Sequence, residues 1–288
     1  MLGVALVALA VLAFALADTT TQELTPRHPG PVIVFVRYAL NALLLALILW
    51  PSMREKLWQT RRTWMVMGRG LILALASLTM ALALTVMPVG EATAIIYLAP
   101  FAVMILAGRL LGENVGLIGW AGAMLGFSGV LLIVRPGGGL DPVGVTYALI
   151  NAGLATAYHL STRYLSRTEQ PTPMVFHSAW IGAAFFGLLS LGFLPEISIG
   201  LRDFGLMLVL GTLMTIGHFL FTVAYRLGPA SLLAPVNYLH LVWAGGLGWL
   251  VFGHVPDALA LGGMALVTVA GVVIASRAHL GLRRGIAR

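Results

Sequence analysis

Cysteine is absent from the 288 residues, which excludes disulfides, thiolate metal sites and cysteine nucleophiles. Charge is almost as scarce: Asp, Glu, Lys and Arg make up 9% of the chain, against about a quarter in a soluble domain. So few charges cannot clothe a water-facing surface on a sequence that is 59% hydrophobic with mean hydropathy +0.96. HExxH, GxSxG, paired-carboxylate and phosphate-cradling signatures are missing too, so no enzyme class is indicated and no cofactor or metal is expected.

The chain does carry a formal charge of +7, yet its basic residues stand singly or in small clusters at the ends of apolar runs. That distribution reads as membrane topology and not as a nucleic-acid surface. Apolar runs near bilayer length recur at 2–20, 31–50, 64–86, 89–108, 116–134, 141–162, 173–194, 202–226, 229–252 and 257–276. They are too long and too continuously apolar for barrel strands, so helices are expected. The fold class that follows is an all-α integral membrane protein with ten transmembrane helices. Ala15-Leu16-Ala17 before Asp18 resembles a signal-peptidase site, but the opening residues carry no positive charge, so the first run is kept as a span.

Of the 17 Lys and Arg residues, Arg37 and Arg69 fall inside spans 2 and 3. With both termini cytoplasmic, only Arg27, Arg135 and Arg202 lie outside, and all the rest lie inside. A shift of 141 residues superposes Pro88 on Pro229, Tyr97-Leu98 on Tyr238-Leu239, Gly112 on Gly253 and Asp18 on His159. Two halves of five helices, 1–138 and 139–288, are therefore expected. Five is odd, so the halves run in opposite senses around a central cavity, the plan of many secondary transporters.

Several polar groups recur at helical spacing inside these runs. Thr215, His218, Thr222 and Tyr225 share one face of span 8, as a cavity wall or as interhelical hydrogen bonding would require. In span 4, Thr93, Tyr97, Pro100 and Phe101 share a face, and Pro100 frees a backbone carbonyl in midspan. The second half answers with Pro235, Tyr238, His240 and Trp243. Span 6 holds Asn151, Tyr158 and His159, and span 7 holds His177 and Trp180, suited to stacking or to an interface. Gly119, Gly122, Gly126 and Gly129, with Gly262, Gly263 and Gly271, read as close-packing faces of spans 5 and 10. Glu91 and Glu113 lie near span ends, where an interfacial role is expected.

These residues are similar to the drug/metabolite transporter superfamily, in particular its ten-helix EamA-type branch and, within it, aromatic amino acid exporters of the YddG kind. The likeness covers nearly the whole chain. It is carried by Phe35-Val36-Arg37-Tyr38, Met87-Pro88-Val89-Gly90-Glu91-Ala92-Thr93-Ala94, Tyr97-Leu98-Ala99-Pro100, Leu111-Gly112-Glu113 and the glycines from 119 to 129. The resemblance implies a basket of ten helices with the fifth of each half peripheral, and export of amino acids or related metabolites from the bacterial inner membrane.

The expected protein is a monomeric secondary transporter in a lipid bilayer, taking a small-molecule substrate and no nucleic acid. Substrate-binding candidates are Tyr97, Tyr158, His159, Trp180, His218, Tyr225, Tyr238, His240 and Trp243. Gating or coupling falls to Asp18, Arg37, Pro88, Pro100, Pro229 and Pro235. Neutral, including aromatic, amino acids are favoured over multiply charged anions, because Arg37 and Arg69 are the only basic residues deep in the spans. The alternatives are multidrug or cation efflux by the same fold and, from another class, an intramembrane enzyme.

Overall fold

The computed structural model describes residues 2–86, 89–113, 115–134, 141–196, 199–253 and 257–286. Pro88, Arg135 and the side chain of Glu91 fall outside these described residues. The elements are all helical: α1 Leu2–Leu24, α2 Gly30–Met53, α3 Thr63–Ala83, α4 Val89–Ile96, α5 Leu98–Leu111, α6 Gly116–Val134, α7 Pro142–Leu165, α8 Pro171–Ser190, α9 Leu201–Leu227, α10 Ala230–Leu233, α11 Leu239–Phe252 and α12 Ala258–Ile286.

Spans 4 and 9 are each interrupted, which a bare apolar run does not reveal. Pro100 has no N–H to offer the carbonyl of Ile96, so the chain turns at Tyr97 between α4 and α5. In the second half Pro235 has the same effect, and a 3₁₀ stretch from Ala234 to Tyr238 joins α10 to α11. Adding 141 to the bounds of α5 gives those of α11. Both helices end on a left-handed glycine, Gly112 at φ 67° and Gly253 at φ 70°, a conformation that glycine adopts without strain.

Among the described residues, five helices are long and apolar enough to cross a bilayer: Leu2–Leu24, Gly30–Leu57, Thr63–Ala83, Pro171–Phe193 and Leu201–Leu227. Leu98–Leu111, Gly119–Ile133 and Ala258–Ala270 form shorter apolar helices. α7 is the most polar of the long helices, with Asn151, Thr156, Tyr158 and Thr162 all buried against its neighbours. Leu47, Trp64, Leu117, Leu201 and Leu250 are well over half exposed, a surface suited to hydrocarbon and not to water.

The packing partners form an exchange. α1 lies on α9 and α7 lies on α3; α2 lies on α9 and α8 lies on α3; α1 meets α11 and α7 meets α4 and α5. α2 packs on α8, and α6 packs on α12. The last pair approaches through backbone: a Cβ at Gly129 would stand 2.6 Å from the Gly263 carbonyl oxygen, and one at Gly263 would stand 2.6 Å from that of Gly129. Gly262, by contrast, faces open space.

Candidate functional site

α3 carries Arg69 into the centre of the bundle, where it is 1% exposed. A guanidinium has five N–H donors, and here every one finds an acceptor. Nε donates to Thr162 Oγ1 at 2.7 Å; Nη1 donates to the Met174 carbonyl at 3.1 Å and to Ser178 Oγ at 2.8 Å. Nη2 donates to Tyr158 Oη at 2.8 Å and Thr222 Oγ1 at 3.1 Å. One side chain thus ties α3 to α7, α8 and α9. All five acceptors are neutral, and among the described residues every ion pair is made by other groups.

A second guanidinium stands nearby. Arg37 Nη2 donates to Ser77 Oγ at 3.0 Å, the guanidinium lies 5.0 Å from the centre of the Tyr38 ring, and Tyr38 Oη is 3.1 Å from the same serine oxygen. Tyr38, Asn41, Arg69, Tyr158, Ser178 and His218 are the polar lining of a narrow cavity between the helices. Asn41 is 2% exposed and, among the described residues, its Oδ1 accepts no hydrogen bond. A buried acceptor without a donor costs about 1–3 kcal/mol, so it is an invitation to a ligand donor.

The polar stripe of α9 faces α7. His218 sits with its ring centre 5.0 Å from that of Phe14 and its Nδ1 3.4 Å from Tyr158 Oη. Phe221 stacks on Tyr225 at 4.5 Å, and His159 Nδ1 lies 2.7 Å from Tyr225 Oη. Thr222 belongs to the Arg69 shell, whereas Thr215 bonds only back to the Gly211 carbonyl.

A separate chain of polar groups links α1 to the interrupted spans. Asp18 Oδ2 is 3.1 Å from His240 Nε2, His240 Nδ1 is 2.8 Å from Tyr97 Oη, and the Tyr97 and Tyr238 rings are 5.8 Å apart. The directions are consistent when the phenol donates to Nδ1 and Nε2–H donates to the carboxylate. Tyr238 is 1% exposed and its hydroxyl has no hydrogen-bond partner among the described residues.

The Asp18 side chain is 57% exposed although α1 continues to Leu24. Leu9, on the outer surface of the same helix, lies about 180° round from it at 100° per residue. Asp18 therefore lies on the side of α1 away from the exposed Leu9 and meets His240 of α11. The opposite end of the bundle is crossed by an ion pair and its backbone contacts. Glu113, 7% exposed, pairs through Oε1 with Arg163 Nε at 3.0 Å and accepts from the backbone N–H of Ala230 and Ser231. Arg163 also donates to the Tyr225 carbonyl, and Arg167 to that of Leu111. Glu169 accepts from the Arg61 and Arg62 amides.

The structure therefore gathers Tyr158, His159, His218 and Tyr225 into one cluster, and Asp18, Tyr97, Tyr238 and His240 into another. Trp243 is exposed one turn beyond His240. Trp180 stands apart with Trp58 and Phe176 on the α2–α8 flank, and His177 there bonds the Pro173 carbonyl. Pro100 and Pro235 mark the two helix breaks, Pro229 precedes α10, and Pro88 lies outside the described residues. Arg69, Tyr38, Asn41 and Ser178 are what the sequence reading left out of the site. Arginine and asparagine inside apolar runs were the available signal, since such groups are costly in a membrane unless they face the interior.

A polar, partly charged interior walled by apolar helices agrees with what the chain resembles by comparison. Over 281 residues it is 27% identical to the pseudopaline exporter CntI of Pseudomonas aeruginosa, covering 94% of this chain and 95% of that one. Over 270 residues it is 28% identical to a riboflavin transporter of Rhizobium johnstonii, covering 92% and 88%. An S-adenosylmethionine uptake transporter of Rickettsia bellii is 23% identical over 274 residues, covering 95% and 93%. A solved crystal structure 19% identical in sequence superposes with a TM-score of 0.83 over 98% of both chains, which supports the fold. The model of the EamA-like transporter family matches residues 1–135 and 142–277. With matches across nearly its full length and several bilayer-length apolar helices, this chain is a multi-pass membrane protein belonging to the EamA-like transporter family.

Proposed function

We propose that this protein is a secondary transporter that exports amino acids, aromatic and other neutral ones, and related small metabolites across the plasma membrane by alternating access. The observation that carries this reading is the contrast between the two ends of the bundle. One end holds an exposed carboxylate, at Asp18; the other is crossed by the buried Glu113–Arg163 pair and its backbone contacts. Between them lies the cavity with Arg69, Asn41 and His218.

In this reading the chain is two inverted halves, 1–138 and 139–288, with both termini cytoplasmic and Asp18 on the external side. The exchange of helix partners between the halves and the coincident bounds of α5 and α11 support the repeat. Opening the inner end requires Arg163 to leave Glu113, and the breaks at Tyr97 and Tyr238 supply the joints about which α5 and α11 tilt. The transporters named above move small metabolites, two by name as an exporter and an uptake system, so the fold serves either direction.

The test is counterflow of labelled phenylalanine, tryptophan, threonine and a cationic dye in proteoliposomes, with an imposed pH gradient switched on and off. Uptake of the amino acids by loaded vesicles, absent from empty ones, is the expected result. Uptake of the dye alone would replace amino acid export by cation efflux, and uptake of nothing would remove the transport reading of these substrates.

A further inference from the structure

We infer that the cavity around Arg69 recognises its substrate through a carboxylate beside a neutral hydrogen-bond donor, and so favours net-anionic acids, such as N-acylated or hydroxy acids, over zwitterionic amino acids and excludes cations. The inference rests on the transport reading for its purpose, and on three observations for its chemistry.

The first is charge. Arg69 lines the cavity, and the Arg37 guanidinium lies 5.0 Å from the centre of the ring of Tyr38, which lines it too. Neither is ion-paired among the described residues. Of the described acidic side chains, Glu113, Glu169 and Asp203 are held at helix ends and Asp18 is engaged by His240, while Glu23 pairs with Arg27 and Arg202, Glu55 lies in the 3₁₀ turn after α2, and Asp141 and Asp257 accept from helix N-terminal amides. A buried Arg69 beside a half-buried Arg37, with no counter-ion among the described residues, attracts an anion.

The second is the state of the Arg69 shell. Thr162, Thr222 and Ser178 accept from the guanidinium while donating their own hydrogens to the carbonyls of Tyr158, His218 and Met174. They fix the guanidinium in place without neutralising it. Tyr158 accepts from Nη2, which leaves its O–H to donate toward His218 or into the cavity. Arg69 is thereby a positioned charge presented through a phenol, and a carboxylate at the cavity would take the phenol hydrogen and the field of both arginines.

The third is Asn41, one of the residues that line the same cavity, whose buried Oδ1 accepts no hydrogen bond among the described residues. An amide N–H or a hydroxyl satisfies it. An ammonium does so only by bringing a positive charge among two guanidinium groups, which disfavours the zwitterion relative to its N-acyl derivative.

Three ligands with the same ring separate these terms: N-acetylphenylalanine, phenylalanine and phenylalaninamide, titrated calorimetrically into the purified full-length protein. Binding is expected in that order, with at least about tenfold between the acid and the amide. Asn41→Asp places a resident carboxylate among the guanidinium groups and is expected to weaken the acid about tenfold or more while leaving the amide unweakened. Arg37→Gln, which removes fewer contacts than any change at Arg69, is expected to weaken the acid as well. Equal binding of acid and amide, an unchanged acid affinity in Asn41→Asp that is shown folded by its elution profile, or no binding of either acid would overturn the inference. Counterflow of a cationic dye alongside equal acid and amide binding would sink the carboxylate site and leave transport standing. Ordered binding without counterflow would do the reverse.

Discussion

Asp18 Oδ2 and His240 Nε2 stand 3.1 Å apart across the join between α1 and α11, and the far side of the same imidazole meets Tyr97. Carboxylate and imidazole come from α1 and α11 and the phenol from the turn between α4 and α5, so that two of the three stand beside the breaks in spans 4 and 9. With the Asp18 side chain 57% exposed, the pair lies in a wet setting where such contacts contribute about 0–1 kcal/mol to stability.

Its importance for transport is expected to exceed its importance for folding. Asp18→Asn and His240→Gln are expected to slow counterflow by an order of magnitude or more, while a double-mutant cycle on unfolding returns a coupling of about 1 kcal/mol or less. If the pair carries the coupled proton, the pH-gradient response disappears in both variants. A coupling energy well above that range with normal counterflow would make the pair a structural clasp.

How far the sequence reached is visible in these same residues. Five of the expected spans appear as long apolar helices among the described residues, and the helix breaks fall where Pro100 and Pro235 remove a backbone donor. α1 runs past its expected end because Thr19, Thr20 and Thr21 return their hydroxyls to the carbonyls of Ala15, Leu16 and Ala17, which hides their polarity. Partnership across helices was not legible. The 141-residue shift relates Asp18 to His159 by symmetry, whereas in space Asp18 meets His240 and His159 meets Tyr225. Arg69 looked like one stray cation in span 3, because its five acceptors come from three other helices that no periodicity connects to it.

The absence of cysteine makes the proposed topology directly measurable, since single substitutions meet a silent background. Gln22→Cys is expected to react with an impermeant maleimide added to intact cells, and Lys56→Cys only after permeabilisation. Asp18→Cys is expected to react with a small charged thiosulfonate, because thiolate formation needs water. Leu9→Cys, exposed on the apolar exterior, is expected to stay unlabelled. Labelling of Lys56→Cys from outside would invert the orientation, and a silent Asp18→Cys would place Asp18 out of reach of water.

Arg69 joins four helices, so its removal is expected to damage the fold itself. Arg69→Ala leaves a void and unanchored hydroxyls, with an expected loss of about 2–4 kcal/mol in detergent-titrated unfolding. Arg69→Lys keeps the charge but has three donors on one atom and cannot span five acceptors, so an intermediate loss is expected. Arg37→Ala, with its single hydrogen bond to Ser77, is expected to cost about 1 kcal/mol. Equal losses at 37 and 69 would remove the distinction between a central knot and a peripheral contact.

The seam between α6 and α12 gives a sharper stability test, because neighbouring glycines there are expected to behave oppositely. In a bilayer, helices gain little from hydrophobic exclusion and depend on close backbone approach. A methyl group at Gly129 would meet the Gly263 carbonyl at 2.6 Å, and backbone on both sides leaves nothing flexible to yield. Gly129→Ala and Gly263→Ala are each expected to destabilise by about 1–3 kcal/mol, the usual range for overpacking. At Gly262 no atom lies within 4 Å of an added methyl, so Gly262→Ala is expected to be neutral or slightly stabilising through its better helix propensity. Thermal unfolding of the three variants in one detergent measures this. A tolerated Gly129→Ala would mean that the helices slide apart freely and that the seam is no fixed contact.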